Sequence, residues 1–488
     1  MIILRNRWIQ LTALVALLAG IGARALRLKY CVTDYDTWWH LKVGDWIIQH
    51  SGLPHTGILS RTAADRAWVA YSWGYEVLLS LAYSSMGLLG IGIFGTALTV
   101  GVAFAAYWML LRISGRFWLA WILAGITCAA FLFDGSPRPG FFSYIFYCIV
   151  LARLFEVQRT ARVRLLYWLP PLFVLWANLH IQFVYGLFVV GLFVGVHVSQ
   201  EVLWRLNFRS DYLSTSNLPA KPLVLVAGLC VLATFVGPNF YHPYLVVLAY
   251  SKAKFAYNVI LELQPLSFRI LSNYIELLLA AAGFYAVGWQ KKIDPFKLAL
   301  LAVAAVVSFR TMRDAWFICF SAAACIADSS ATATETAPHR SESWPDLAVV
   351  AAGLILLLFA AAPFTDFSAR GLDRAISENY PVNAINSLRS GSFSGPLYNN
   401  LNWGGFLMWY LPELPVAVDG RNDLYGDELD KLFFDSQSAY ASYKTDPYLN
   451  EAHLVVLDSR LPLAKILSID PRFRLVYHDD IATVYQRQ

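Results

Sequence analysis

The chain has 488 residues, of which 58% are hydrophobic and only 15% are charged, and its mean hydropathy is +0.50. A water-soluble domain is about half apolar and about a quarter charged. The composition therefore excludes an ordinary soluble protein and predicts that lipid solvates part of the chain. The net charge of +5 comes from lysines and arginines in short loops, with no basic helix or patch, so nucleic-acid binding is not expected.

Apolar runs recur from the N-terminus to residue 363. They lie near residues 8–25, 90–111, 117–134, 140–155, 166–179, 181–200, 221–237, 270–290, 296–309, 314–327 and 346–363. A helix needs about 20 apolar residues to cross a bilayer, and residues 73–89 form either a further span or an interfacial helix. We predict a mainly α-helical, multi-pass transmembrane bundle with 11–13 spans.

The positions of the positive charges predict the orientation of the spans. Arg153, Arg159, Arg162 and Arg164 cluster in one loop, which is expected to be cytoplasmic. Alternation of the spans then places the first loop, residues 30–72, and the tail after residue 363 on the outer face. The chain is thus predicted to lie in the cell inner (cytoplasmic) membrane with an extracytoplasmic C-terminal domain.

The composition changes near residue 364. Residues 1–363 are predicted to form the transmembrane module, and residues 364–488 a small soluble α/β domain. Strand-like runs occur at Leu414–Asp419, His453–Leu457, Phe473–Tyr477 and Ile481–Tyr485. The last two flank His478-Asp479-Asp480, which is typical of a tight hairpin.

Two acids follow the first apolar run, at Asp34 and Asp36. The apolar residues from Trp38 to Ile48 predict a helix that starts just after them. One interpretation is that Asp34 caps this helix and Asp36 is solvated. The other is that two carboxylates at the membrane edge handle a polar reaction, with one acting as a base toward an acceptor hydroxyl.

The residues of this loop resemble a known motif. The sequence D-Y-D-T-W-W-H-L-K at residues 34–42 resembles the first-loop motif of GT-C glycosyltransferases, in particular that of oligosaccharyltransferase catalytic subunits. The resemblance implies a catalytic role for Asp36 first and Asp34 second. His40, in the same motif, is a candidate for lining the substrate. The resemblance also implies a polyprenyl-phosphate or polyprenyl-diphosphate sugar donor and, in some members, a divalent cation (Mg²⁺ or Mn²⁺) bound through Asp34 and Asp36.

The sequence departs from the family pattern in two places. Lys42 stands where the motif usually has arginine, and no W-W-D-x-G acceptor motif is present, so protein N-glycosylation is not expected. In the tail, Trp403-Gly404-Gly405 and Asp419-Gly420-Arg421 resemble an uncharacterised bacterial group near the GT-C enzymes. From the residues alone, Asp419-Gly420 indicates a turn first, and sugar or acceptor binding is the alternative.

Three arginines at the predicted outer helix ends are candidates for binding the donor phosphate. They are Arg138, which lies between two prolines, and Arg310 and Arg313. Arginine binds phosphate through two parallel hydrogen bonds, but lipid headgroups, a helix end or Asp314 could equally satisfy these side chains.

Four further polar residues are candidates for lining the substrate. They are Glu76, Asn178, His180 and His242. Polar groups at membrane depth are costly and so are often functional. Structural roles remain open, because a lone histidine is usually a satisfied packing residue and Glu76 suits an interfacial helix.

Two functions from different classes remain open. The first is an enzyme, in which Asp36 and the arginines converge on one outer pocket around a polyprenyl-linked sugar and an unidentified acceptor. The second is a non-catalytic scaffold or lipid-handling partner in envelope polysaccharide assembly. A secondary transporter is less consistent with the sequence, because the polar residues cluster at outer helix ends and no internal repeat is present.

Overall fold

A computed structural model describes residues 6–131, 136, 138–208, 210–215, 218–331, 344–389, 393–440 and 443–488. The first eleven helices are α1 Arg7–Leu28, α2 Tyr30–Thr33, α3 Tyr35–His50, α4 Trp73–Met86, α5 Leu88–Ser114, α6 Phe117–Phe131, α7 Gly140–Thr160, α8 Leu169–Leu179, α9 Phe183–Arg205, α10 Ala220–Ala233 and α11 His242–Lys252. The others are α12 Phe255–Val259, α13 Leu271–Gly288, α14 Pro295–Arg310, α15 Ala315–Ser329, α16 Trp344–Ala361, α17 Ala369–Asn379, α18 Val382–Arg389, α19 Gly404–Tyr410, α20 Asn422–Gln437, α21 Pro447–Glu451 and α22 Pro462–Leu467. The strands are β1 Leu397–Asn399, β2 Leu454–Asp458, β3 Phe473–His478 and β4 Ala482–Arg487.

The described part of the chain contains six helices of sufficient length and apolarity to cross a membrane. They are Arg7–Thr33, Leu88–Ser114, Gly140–Thr160, Phe183–Arg205, Leu271–Gly288 and Pro345–Thr365. Three shorter apolar helices are Phe117–Phe131, Val163–Leu179 and Ala220–Ala233. The mainly α-helical, multi-pass fold predicted from the sequence is confirmed, and the number of spans, 11–13, stays a prediction.

The chain divides into two compact units. The first unit comprises residues 1–27, 96–240 and 260–365, and the second comprises residues 28–95, 241–259 and 366–488. The sequence predicted one boundary, at residue 364, with the first outer loop on the transmembrane side of it. In the structure the first loop groups with the C-terminal segment, and the predicted boundary stays a prediction.

Small residues allow close helix packing in the first unit. A Cβ atom on Gly283 of α13 would lie 2.9 Å from the Cβ atom of Ala322 on α15. In a lipid bilayer, apolar side chains gain no hydrophobic free energy by moving from lipid to a helix interface. Helices therefore associate through van der Waals packing, which small residues favour by letting the backbones approach closely. The small side chains of this helix pair therefore contribute to the unit's packing.

The second unit combines helices from the first loop with a small sheet. The strand order is β1-β2-β4-β3, with β1 and β2 parallel and the other pairs antiparallel. β3 and β4 form the hairpin predicted from the sequence. Leu414–Asp419 is not a strand, since it makes only an isolated bridge between Val416 and Ser60.

Candidate functional site

The two acids of the first loop have different roles at the start of α3. The Asp34 carboxylate accepts a hydrogen bond of 2.8 Å from the Asp36 backbone N–H and so caps the helix. Asp36 lies in the first turn, and its Oδ1 accepts a bond of 3.0 Å from Trp39 Nε1. The carboxylate of Asp36 is therefore oriented by a side chain three residues later in the same helix.

A loop from the C-terminal segment approaches this carboxylate. A Cβ atom on Gly420 would lie 2.5 Å from Asp36 Oδ1 and 3.2 Å from Trp39 Nε1. A side chain at position 420 would therefore displace the Asp36 carboxylate. On the other side, a Cβ atom on Gly405 would lie 2.8 Å from the Trp39 backbone nitrogen. Both glycine motifs noted in the tail thus pack directly against the first-loop helix.

A buried ion pair holds the Gly420 loop in place. Arg421 Nε and one terminal nitrogen donate to the two oxygens of Asp419, each at 2.8 Å, and both side chains are fully buried. The guanidinium also lies over the Trp68 ring, 4.8 Å from its centroid. Tyr425 Oη donates to Asp419 at 2.6 Å. These contacts restrict the backbone that faces Asp36.

A second buried pair, His40 and Glu76, lies beside Trp39. His40 Nδ1 is 3.1 Å from Glu76 Oε1, and the His40 ring is 3.5 Å from Trp39, centroid to centroid. Burial raises the pKa of Glu76 to about 8, and nearby Arg421 offsets this only in part. Glu76 is therefore mostly protonated at neutral pH and can donate its proton in the bond to His40.

Replacing Glu76 by glutamine should reduce the pH dependence of stability in this unit. Folding raises the Glu76 pKa from 4.5 to about 8, so the folded chain retains a proton that the unfolded chain releases. The stabilisation is complete below pH 4.5 and is lost as the pH rises to about 8. We expect the melting temperature of the native protein to fall by several degrees over this window, and to fall less in Glu76→Gln.

Two other buried acids also contribute to the pH dependence, and an exposed glutamate provides the control. Burial also raises the pKa of Asp423 to about 6 and that of Asp430 to about 8, so a smaller slope should persist in Glu76→Gln. Glu262→Gln, at an exposed position, is the matched control and should behave as the native protein does. Equal slopes in native protein and Glu76→Gln would contradict the assignment.

The first loop provides two carboxylates for a cation rather than a complete ligand set. Among the described residues, no three histidine, cysteine or acidic side chains converge in a way that could hold a metal ion. Asp34 and Asp36 would supply at most two protein ligands, and Asp34 already serves as a helix cap. A divalent cation stays a prediction for this pair, and no step proposed below depends on one.

In the first unit, Arg138 and Asn178 already have protein partners. Arg138 forms an ion pair of 3.0 Å with Glu262. Asn178 Nδ2 donates to the carbonyl oxygens of Val174 and Val236, each at 2.8 Å, and so connects the end of α8 to the turn after α10. These bonds favour a structural role for Asn178.

His180 forms part of a buried hydrogen-bonded chain at the start of α7. Trp176 Nε1 donates to Ser143 Oγ at 2.7 Å, and Ser143 Oγ lies 2.8 Å from His180 Nδ1. Burial lowers the pKa of His180 to about 3, and the positive charge of Arg313 lowers it further. The imidazole is therefore neutral. Ser143 and Trp176 had no separate signal in the sequence, because both lie within apolar helices.

Arg310 is the last residue of α14 and Arg313 lies in the short connection to α15, and both are exposed. Asp314 Oδ2 accepts from Thr311 Oγ1 at 2.6 Å, and Ser308 Oγ donates to the Asp314 carbonyl at 2.7 Å. The connection is thus held by its own polar groups.

The candidate residues fall into two groups. Asp34, Asp36, His40, Glu76 and His242 belong to the second unit, and Arg138, Asn178, His180, Arg310 and Arg313 belong to the first. Within the second unit the structure brings Asp36 next to Trp39 and Gly420. His242 begins α11 and stacks on Tyr241 at an exposed position.

Known structures with a similar fold include two of an archaeal enzyme. The oligosaccharyltransferase of Archaeoglobus fulgidus, tethered with an acceptor peptide containing the NVT sequon, matches with a TM-score of 0.52 and 13% identity over 99% of this chain and 74% of that chain. The same enzyme in complex with zinc and sulfate matches with a TM-score of 0.52 and 11% identity over 97% and 73% of the two chains. ArnT from Cupriavidus metallidurans bound to undecaprenyl phosphate matches with a TM-score of 0.47 and 12% identity over 96% and 97%.

No protein-family model and no curated protein matches the sequence. The structural similarity to the oligosaccharyltransferase extends along almost the whole of this chain. Because the sequence identity is low, this similarity shows the fold alone. The chain therefore shares the fold of this oligosaccharyltransferase.

Proposed function

We propose that the chain is a membrane glycosyltransferase. It moves a sugar from a polyprenyl-phosphate or polyprenyl-diphosphate donor to an acceptor on the outer face of the cytoplasmic membrane. The observation that carries the proposal is the geometry of Asp36 in the D-Y-D-T-W-W-H-L-K motif. Trp39 orients its carboxylate through a hydrogen bond, and the close approach of Gly420 restricts the space around it.

Asp36 acts on the acceptor in this proposal. The acceptor hydroxyl oxygen bonds to the anomeric carbon as the bond from that carbon to the donor phosphate breaks. Asp36 takes the hydroxyl proton or orients the hydroxyl, and the phosphate leaves with the electron pair. The hydrogen bond from the Trp39 N–H holds one oxygen of the Asp36 carboxylate in place during this step. A carboxylate held in position reacts faster than one that moves away from the acceptor hydroxyl.

The departing phosphate needs positive charge and hydrogen-bond donors. Arg310 and Arg313 supply exposed guanidinium groups, and Arg138 can exchange Glu262 for a phosphate oxygen. His180 is neutral, and when Ser143 donates to its Nδ1 the remaining proton lies on Nε2, which can then donate to an anion. This role for the arginines requires that they and Asp36 reach the same lipid headgroup.

The first test of the proposal is the identity of the co-purified lipid. Mass spectrometry of the protein extracted in mild detergent should detect a polyprenyl phosphate or its sugar-linked form. Arg313→Gln should lower the amount retained, whereas Arg205→Gln, which removes an exposed arginine paired with Glu201, should not. A preparation that retains no polyprenyl lipid, and does not bind one added back, contradicts the donor assignment.

The second test is the replacement of Asp36 by asparagine. A base of this kind contributes about 10²- to 10⁴-fold to the rate, so transfer of the sugar from the co-purified donor should fall by that factor. Asp45→Asn is the matched control, because Asp45 lies on the same helix and contacts Lys42 and Gln49. Unchanged transfer in Asp36→Asn would remove its catalytic role and favour the non-catalytic alternative, a scaffold or lipid-handling partner.

A further inference from the structure

A cavity of about 670 Å³ lies in the first unit, where α7 ends and α10 begins. It is lined by Arg162, Arg164 and Tyr167 on one side and by Pro219 and Pro222 on the other. Among the described residues, no carboxylate lines it. None of these residues belongs to the candidate site described above.

A short 3₁₀ helix, Val163–Trp168, sets the direction of the lining side chains. This helix has about three residues per turn, so Arg164 and Tyr167 project from the same edge. Leu166 is buried, and so attaches the helix to the protein, whereas both arginines are exposed. Arg164 and Tyr167 therefore face the cavity from one edge of this helix, and Arg162, the residue before the helix, also lines it.

The cavity lies at the level expected for lipid headgroups. The membrane helix Gly140–Thr160 ends just before it, and the apolar stretch Val163–Leu179 starts within it. Tyr167 is 43% exposed and Trp168 is 73% exposed. Tyrosine and tryptophan with exposed rings at the end of a membrane helix are typical of the membrane–water interface.

The two cavity arginines have no ion pair among the described residues. Four neighbouring arginines, by contrast, contact protein groups. Arg112 and Arg153 pair with Glu156, Arg205 pairs with Glu201, and Arg159 donates to the carbonyl oxygens of Arg112 and Ile113. Arg162 and Arg164 thus leave an uncompensated positive charge in a concave interfacial site.

We propose that this cavity binds the phosphate headgroup of an anionic phospholipid from the leaflet that borders it. The guanidinium groups of Arg162 and Arg164 bind phosphate oxygens in pairs of parallel hydrogen bonds. Tyr167 adds a hydroxyl and an apolar ring, and the acyl chains follow the apolar surface next to the cavity. Basic pockets between membrane helices select anionic headgroups by this chemistry. The site is separate from the proposed transfer reaction and does not depend on it.

The test uses the full chain in nanodiscs and measures which lipids it retains. In discs of phosphatidylcholine mixed with phosphatidylglycerol, native mass spectrometry of the released protein should show retained phosphatidylglycerol. The Arg162→Gln/Arg164→Gln variant should lose about thirtyfold in apparent affinity for this lipid. Arg205→Gln is the matched control, since it removes an exposed arginine of the same face outside the cavity, and it should retain the lipid as the native chain does.

Two outcomes would overturn the proposal. Equal retention of phosphatidylglycerol by the double variant and the control would show that the cavity arginines do not select it. If inorganic phosphate or glycerol 3-phosphate displaced the lipid and stabilised the detergent-solubilised protein with the same arginine dependence, the site would bind a free phosphate instead. Circular dichroism spectra that match among the variants exclude misfolding as the cause of a loss.

Discussion

Replacing Gly420 by alanine is expected to lower the proposed sugar transfer by about 10²-fold in a chain that still folds. The added Cβ atom would lie 2.5 Å from Asp36 Oδ1, so the carboxylate must move. A displacement of about 1 Å in a reacting group can cost about 10²-fold in rate. The same atom would lie 3.2 Å from Trp39 Nε1, so the bond that orients Asp36 would also be disturbed. Transfer assays and melting temperatures on the purified variant measure the two effects separately.

Gly52→Ala is the matched control for this substitution. Gly52 also belongs to the second unit. A Cβ atom added there would lie 3.8 Å from the His50 carbonyl oxygen, which is an ordinary van der Waals distance. A double-mutant cycle with Trp39→Phe then tests the mechanism. If Gly420 acts through the Trp39–Asp36 bond, the double variant should lose about as much activity as the more damaging single variant. Losses that multiply independently would contradict the positioning role.

Replacing Arg421 by leucine should destabilise the second unit by about 3–5 kcal/mol. The substitution leaves the Asp419 carboxylate fully buried without its counter-charge, and it removes the guanidinium from the face of Trp68. A buried charge without a partner costs far more than the pair contributes when it is intact. Chemical denaturation in detergent, followed by tryptophan fluorescence, measures the change in the free energy of unfolding.

The chain contains a matched pair for this experiment. Asp458 and Arg460 have the same Asp-x-Arg spacing, and Arg460 donates to both oxygens of Asp458, but the Arg460 side chain is 82% exposed. Exposed ion pairs contribute about 0–1 kcal/mol, so Arg460→Leu should change stability by no more than that. Similar losses for the two variants would show that burial is not what makes the Asp419–Arg421 pair important.

The position of the first-loop acids was predictable because it depends on local sequence. One of the two interpretations of Asp34 was that it caps a helix, and it accepts a hydrogen bond from the Asp36 backbone N–H at the start of α3. The helix begins at Tyr35 rather than Trp38, which is a normal uncertainty for a helix end. The hairpin around Asp479 was equally accessible, because a turn between two strand-like runs is also a local feature.

The partners of these acids were not predictable, because they come from distant parts of the chain. Asp419-Gly420-Arg421 was interpreted first as a turn, since Asp-Gly favours one wherever it occurs. The close approach of Gly420 to Asp36 joins residues almost four hundred positions apart, and neither segment has a pattern that points to the other. A glycine between two charged residues was the available signal, but it did not indicate which group lay beside it.

The sequence by itself determined that this is a multi-pass, mainly helical membrane protein with a polar C-terminal segment, because hydrophobicity and helix capping act over a few turns of chain. Only the tertiary structure decided that the first loop and the C-terminal segment form one compact unit, that Gly420 lies against Asp36, and that Asp419 and Arg421 are buried together. Such contacts depend on long-range packing, in which the cost of burying a charge or the space for a Cβ atom is set by residues remote in sequence.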